Sequence, residues 1–278
     1  MTNNYDNSHT LGSPVVALHS SASNSYQWNA LMEALDERHE TFAFDLPGYG
    51  RLSSFEVSNA GMEAIARRII EDVEKIEAPV HLIGHSFGGA VAVKVAMLRP
   101  DLVRSLNLYE PAVFHLLNRD EAPEAALLDS LKQVEASLRE QIDAGSPDRG
   151  METFFDFWNG NGSWACLPET SQAKITQTAP TVLADFDNLF AETWSVEELR
   201  SIPVPVQIVM GMESPACAQR VATLVFQSIA GAELVMLPGL DHMAPINAAE
   251  WVNPRICQHV ARTERSADHF SWPHRVAA

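Results

Sequence analysis

The chain has 278 residues, 46% of them apolar, and carries 19 basic against 36 acidic side chains, a formal net charge of −17. That much apolar sequence can bury the core of one large α/β domain, alone or with a lid. The acidic balance speaks against nucleic acid and anionic membrane as partners, since both would repel it.

Residues Met1 to Thr10 are polar and lack an apolar core, so no signal peptide is expected there. Val15-Val16-Ala17-Leu18 reads as the first strand and runs into His19-Ser20-Ser21-Ala22. A helix with Trp28, Leu31, Met32 and Leu35 on one face follows. Thr41-Phe42-Ala43-Phe44 is the next strand, ending in the turn-rich loop Asp45-Leu46-Pro47-Gly48-Tyr49-Gly50. Met62, Ile65, Ala66, Ile69, Ile70, Val73 and Ile76 mark an amphipathic helix, with Ser58 or Asn59 as its cap.

Val80-His81-Leu82-Ile83 is a buried strand, and Ala90 to Leu98 is a helix of mostly small apolar residues that stops before Pro100. Between them stands Gly84-His85-Ser86-Phe87-Gly88, a Gly-x-Ser-x-Gly turn. A strand, a sharp turn and a helix in that order hold the central serine in a strained conformation and push its hydroxyl out at the strand's carboxyl end. Ser105 to Tyr109 is another strand, ending at Glu110-Pro111. Strand and helix alternate to this point, which implies a mostly parallel sheet covered on both faces.

The alternation breaks from about Ala112 to Ile202, where the sequence is helical and aromatic. Leu127, Leu128, Leu131, Val134, Leu138 and Ile142 form one helix face; Phe154, Phe155, Phe157, Trp158, Trp164, Phe186, Phe190 and Trp194 crowd the remainder. These aromatics read mainly as the insertion's own core. Strands return at Val206 to Met210 and at Leu234 to Leu237, with a helix through Val221, Leu224 and Val225 between them. Pro238-Gly239-Leu240-Asp241-His242 is the following loop; Asn253 and Pro254 read as the cap and first position of a last helix, and the tail from Thr263 is expected to be loosely ordered. No stretch is long and apolar enough to span a membrane. Cys166, Cys217 and Cys257 are odd in number and show no metal or redox spacing, so they read as reduced, buried thiols of a cytoplasmic protein, and neither metal nor cofactor is expected.

Four features in order now stand out: the His19 loop, Asp45 to Gly50, Gly84 to Gly88, and Gly239-Leu240-Asp241-His242-Met243. With them the chain resembles the α/β-hydrolase family over nearly all of residues 14 to 262. The resemblance implies an α/β-hydrolase core formed by residues 1–111 and 203–278, and a helical cap over 112–202. The family often opens with a β-hairpin; only about a dozen polar residues precede Pro14, so that hairpin is expected to be missing or rudimentary and the sheet to have about six strands.

For the site, the resemblance implies Ser86 as nucleophile and His242 as base, because a hydroxyl attacks well only when a base removes its proton. The acid that orients His242 has two candidates. The family's usual turn is here Gly211-Met212-Glu213-Ser214, with Ser214 where aspartate is expected; Glu110, after the preceding strand, is preferred, and Glu213 is the alternative by a one-residue shift. Asp45 and Asp241 read as loop residues, and His19 and His85 as residues that hold backbone shape. The oxyanion donors implied are the backbone N–H groups of Ser21 and Phe87, although Ser20 replaces the glycine often found after the loop histidine. The expected activity is a cofactor-independent serine hydrolase acting on a small or medium carboxylic ester with an apolar acyl group. Thioesterase, lactonase or C–C bond hydrolase chemistry is the nearest alternative, and a non-catalytic ligand-binding protein is the alternative of another class. A lyase or cofactor-free oxygenase on the same fold is a third. The serine speaks against the dehalogenase and epoxide-hydrolase branches, whose nucleophile is aspartate. Oligomeric state is not legible.

Overall fold

A computed structural model of the chain describes residues 11–53 and 61–267. The expected cap at Ser58 or Asn59 and the readings of residues 1–10, including the missing hairpin, lie outside the described residues.

Strand β1 (Gly12–Leu18) leads through a short 3-10 turn, Ser25–Trp28, into α1 (Asn29–Leu35) and β2 (His39–Phe44). Then come α2 (Gly61–Glu74), β3 (Val80–His85), α3 (Phe87–Leu98) and β4 (Val103–Tyr109). Five helices follow without a strand: α4 (Ala122–Asp143), α5 (Pro147–Asn159), α6 (Glu169–Thr176), α7 (Ala179–Ala191) and α8 (Val196–Leu199). The chain then returns to the sheet with β5 (Val206–Gly211), α9 (Ala216–Ser228) and β6 (Glu233–Leu237), and closes with α10 (Ala244–Asn247) and α11 (Ala249–Ala267).

The strands form one six-stranded sheet in the order β2-β1-β3-β4-β5-β6, and every neighbouring pair is parallel. The order reverses at β1: β2 lies on one side of it and β3 on the other. Loops leaving β1 and β3 therefore part at their carboxyl ends, where open α/β sheets make their ligand crevice.

Alternate residues of each strand enter two cores. Val16 and Leu18 join Leu82, Leu106 and Ile208 against α2, α3 and α9, while Val15 and Ala17 join Ile83 and Val209 against Leu31 and Leu35 of α1 and Val252, Ile256 and Val260 of α11. Each valine, leucine or isoleucine among them contributes roughly 1.5–3 kcal/mol on burial. The five inserted helices add to the first core, with Leu128, Leu131, Val134 and Leu138 of α4 buried in the same cluster as Val91 and Val95 of α3. Lys94 of α3 also pairs with Glu192, just past α7, at 2.9 Å, with both side chains largely buried.

Three expectations need correction. The last helix starts at Ala249, so Pro254 lies within it rather than at its first position; burial of Val252 on the face shared with Ile256 and Val260 outweighs the one backbone bond the proline forfeits. The first part of the tail is not loose: from Thr263 α11 runs on to Ala267, Thr263 is buried, and Glu264 bonds the buried His81 at 2.8 Å, while the expectation for residues 268–278 lies outside the described residues. Of the three thiols only Cys217 is buried; Cys257 is intermediate and Cys166 exposed. Among the described residues no helix is long and apolar enough to cross a membrane.

Candidate active site

Ser86 stands between β3 and α3 with φ 52° and ψ −117°. A non-glycine residue in that region costs roughly 1–3 kcal/mol, which its surroundings must supply. Three backbone bonds do so: Ser86 N–H donates to the Tyr109 carbonyl, and its own carbonyl accepts from Ala90 and Ala112, each at 3.0 Å. The flanking glycines are required by contact. A Cβ on Gly84 would lie 2.5 Å from the Gly88 carbonyl oxygen, and one on Gly88 would lie 2.4 Å from that of His19. The strand, the helix and the loop after β1 thus meet at backbone distance around the serine.

His242 lies in the loop after β6, buried, and its Nδ1 donates to Oε2 of Glu110 at 2.6 Å. Glu110 is buried at the end of β4 and itself has a positive φ, 43°. Its other oxygen, Oε1, accepts from Gly211 N–H at 2.7 Å and from Ser214 Oγ at 2.6 Å. Glu213 is exposed, its backbone N–H donates to the Leu240 carbonyl, and among the described residues no hydrogen bond joins its carboxylate to His242. Of the two candidate acids the structure therefore brings Glu110 to the histidine. Among the described residues no hydrogen bond joins Ser86 Oγ to the imidazole, but both line one cavity of about 410 Å³. In unliganded sites such contacts commonly tighten only around substrate.

The expected oxyanion donors, Ser21 and Phe87, both line a second, smaller chamber of about 20 Å³ that Ser86 shares. Phe87 opens α3, so its N–H belongs to the set with no carbonyl one turn back, a natural anion site.

A relay that sequence reasoning missed ties the two loops together. His85 donates from Nε2 to the His242 carbonyl at 2.8 Å and accepts at Nδ1 from the Gln27 amide at 3.0 Å. The Gln27 carbonyl oxygen in turn accepts from Ser20 N–H and Ser20 Oγ, both at 3.1 Å. Ser20, where a glycine was expected, is thus fastened by a side chain. Burial and the neighbouring His242 push the His85 imidazole well below its usual pKa, so it stays neutral with one donor and one acceptor nitrogen. His19 is pushed down to about 4 by burial; it bonds the Ser20 carbonyl through Nδ1 and accepts the Leu46 N–H at Nε2. Asp45 spans two turns, accepting from Ser25 and Arg51 N–H at 2.8 and 2.9 Å. Asp241 accepts the Met243 N–H within its own loop.

The large cavity is walled by apolar groups of the insertion and the last loop, among them Phe154, Phe155, Trp158, Ile175, Met243 and Ile246. Trp158 lines both this cavity and the small chamber and lies over His242, ring centroids 4.3 Å apart and planes 31° apart. The sequence reading named none of these as site residues. The pairing of Phe154 with Trp158 one helical turn on was the available signal.

A family model described as "Alpha/beta hydrolase family" matches residues 15–255. Among curated proteins the chain is 23% identical over 251 residues to (E)-2-((N-methylformamido)methylene)succinate hydrolase of Acinetobacter baylyi, covering 87% of this chain and 88% of that one. It is 26% identical over 241 residues to pimeloyl-[acyl-carrier protein] methyl ester esterase of Neisseria meningitidis serogroup B, covering 85% and 88%. Among solved structures it superposes on MGS-M2, an alpha/beta hydrolase enzyme from a Medee basin deep-sea metagenome library, with TM-score 0.76 at 14% identity over 90% of each chain. With the family model matched over most of its length and a six-stranded sheet of the matching architecture, the chain belongs to the alpha/beta hydrolase family.

Proposed function

We propose that the protein is a serine hydrolase that cleaves a small or medium carboxylic ester through an acyl-enzyme at Ser86. The observation that carries this reading is the 2.6 Å bond from His242 Nδ1 to a Glu110 held by two further donors, with His242 and Ser86 on one cavity. With Nδ1 committed as a donor, Nε2 is the ring atom left to take a proton. In the first half-reaction Ser86 Oγ attacks the ester carbonyl while His242 Nε2 takes the hydroxyl proton. The negative oxygen that forms accepts from the N–H groups of Ser21 and Phe87, and each such donor lowers the barrier by roughly 3 kcal/mol. The tetrahedral species collapses as His242 returns the proton to the departing alkoxide. Water then attacks the acyl-serine by the same path, releasing the acid and restoring the serine. Glu110 keeps the ring oriented and favours the imidazolium in each transition state.

Residues 112–202 act as a cap in this reading, and the substrate is a small molecule whose apolar part fills the larger cavity beneath it. The curated relatives include an esterase and a hydrolase of another compound class by name, so the acyl and leaving groups are assigned here by cavity shape alone. The three cysteines, free in the structure, support placing the protein in the cytoplasm. The test is a panel of p-nitrophenyl esters of increasing chain length beside matched thioesters and lactones, run with wild type and Ser86→Ala. Turnover of esters that vanishes in Ser86→Ala is expected. Turnover confined to thioesters or lactones would move the assignment to those bonds, and no turnover of any substrate would favour a ligand-binding role.

A further inference from the structure

Asp185 lies on α7 in the apolar run Ala184-Asp185-Phe186 and is 1% exposed. Its Oδ2 accepts two short hydrogen bonds, from Ser21 Oγ at 2.6 Å and from Tyr49 Oη at 2.5 Å. Its Oδ1 is buried with no hydrogen-bond partner among the described residues. A buried carboxyl oxygen left in that state is uncommon and calls for a cause. The same residue lines the 20 Å³ chamber with Ser86, Ser21 and Phe87; the other walls include Phe114, Phe186 and Leu189 and are apolar apart from the indole of Trp158.

Size and polarity define what fits. A water-sized atom needs about 10–15 Å³ of such volume, so the chamber takes one heavy atom or two. Because both acceptor directions of Oδ2 are occupied, a proton on this carboxyl resides on Oδ1. Burial lifts the group to about 7, so near neutrality Oδ1 is a donor in part of the molecules and an acceptor in the remainder. An alcohol both gives and accepts a hydrogen bond and pairs with either form. A keto oxygen pairs with one form only, and an alkyl group with neither.

Building on the hydrolase reading, we infer that the small chamber is a hydroxyl-recognition subsite in which Asp185 Oδ1 binds a single alcohol group on the short arm of the substrate, close to the scissile carbonyl. The preferred substrate is then a hydroxylated ester, with its larger apolar arm in the 410 Å³ cavity. Sites built around a substrate hydroxyl can reject the deoxy analogue by about 10⁴-fold or more. Here a water can take the vacated place, so the discrimination expected is smaller, on the order of 100-fold.

The experiment compares kcat/KM for three matched pairs: 2-hydroxypropanoyl against propanoyl, 3-hydroxybutanoyl against butanoyl, and the 2-hydroxyethyl against the ethyl ester of the best acyl group. At least one pair is expected to show about a 100-fold preference for the hydroxylated member in wild type. Asp185→Ala should reduce that ratio at least tenfold. Asp185→Asn, which keeps an acceptor for Ser21 and Tyr49 and presents an amide to the chamber, should hold it within a few-fold. Ratios near one in all three pairs for wild type would overturn the assignment, as would a ratio that survives in Asp185→Ala. Should Asp185→Ala fail to fold, calorimetric binding of the free hydroxy acids and their deoxy counterparts to Ser86→Ala protein decides. Tighter binding of a hydroxy acid by tenfold or more supports the subsite, and equal binding means the chamber holds only water. Fluorophosphonate labelling of Ser86 in each Asp185 variant separates the two claims: labelled protein without a hydroxyl preference sinks the subsite alone, and unlabelled wild type sinks the hydrolase reading.

Discussion

Ser214 donates its hydroxyl to Glu110 at 2.6 Å from the turn where a catalytic aspartate was expected. In the proposed mechanism Ser214 is a support, and the carboxylate comes from the neighbouring strand end. The longer glutamate arm spans the gap, with one oxygen for the histidine and one for the two donors that hold it. Removing the charge while keeping the shape, Glu110→Gln, is expected to lower kcat by about 10⁴-fold, the scale seen for triad acids. Ser214→Ala removes one hydrogen bond to a charged group, worth about 1.5–3 kcal/mol, and should cost roughly 10- to 100-fold. Glu213→Gln should leave kcat within twofold, since that side chain is exposed. Steady-state kinetics on a single ester distinguishes all three.

Gln27 couples the loop after β1 to the loop of His242 through His85. Gln27→Ala is expected to lower kcat by about 10- to 100-fold with little change in KM, because it disturbs the oxyanion loop and the base together without touching the large cavity. Gln27→Glu should also be impaired. Its carboxylate has no N–H to give the acceptor nitrogen of His85, and it would draw a proton onto that ring. An upward shift of the acid limb of the pH–rate profile in Gln27→Glu, absent in Gln27→Ala, is the specific sign of positioning rather than general damage.

Gly88→Ala tests the close approach at the elbow. Its Cβ would meet the His19 and Leu18 carbonyl oxygens at 2.4 and 2.5 Å, and both are backbone atoms. Overpacking of this kind costs about 1–3 kcal/mol or more. For a domain of this size each kcal/mol lowers Tm by about 2–4 °C, so a fall of roughly 5–10 °C in a thermal melt is expected, together with loss of Ser86 reactivity.

Two buried groups give stability opposite pH dependences. His19 is lowered by burial to about 4 from an ordinary 6.5. The unfolded chain therefore takes up its proton first, and stability falls as pH drops from about 6.5 to 4. Protonation would also cost Nε2 its bond from the Leu46 N–H. Asp185 is raised by burial to about 7 from 3.8, against the opposing hydrogen bonds of Ser21 and Tyr49. Its contribution is fully present below pH 3.8, declines as the unfolded carboxyl ionises, and is gone above about 7. Asp185→Asn, which cannot ionise, should gain on wild type as pH rises from 4 to 8, most of all above 7. Denaturant midpoints measured at pH 4, 6 and 8 for both proteins read this directly; a gap that does not widen with pH would refute the assignment.

What the sequence made legible follows from how local each feature is. The elbow is a five-residue pattern whose strand and helix lie on either side of it, so Ser86 could be placed at once. His242 followed from its loop after the last strand. The acid depends on three chain segments meeting, the ends of β4 and β5 and the loop before α10, and no local pattern reports which carboxylate arrives. The early start of α11 was hidden because Pro254 reads as a first-turn residue, whereas the buried face through Val252 decides the boundary. Asp185 was passed over although an acid set directly between Ala184 and Phe186 in the apolar part of α7 is itself a signal, since a charge seldom enters a core without a partner. Gln27 offered none, because its two partner residues, Ser20 and His85, meet it only in the folded chain.

The central claim is that Ser86 is an activated nucleophile, and its most direct test is covalent labelling with a fluorophosphonate followed by peptide mass spectrometry. The account predicts one adduct per chain, on Ser86, formed rapidly in wild type, slowed by orders of magnitude in His242→Ala and absent in Ser86→Ala. Wild-type protein that remains unlabelled, or labelling at Ser86 that proceeds equally fast without His242, would contradict it.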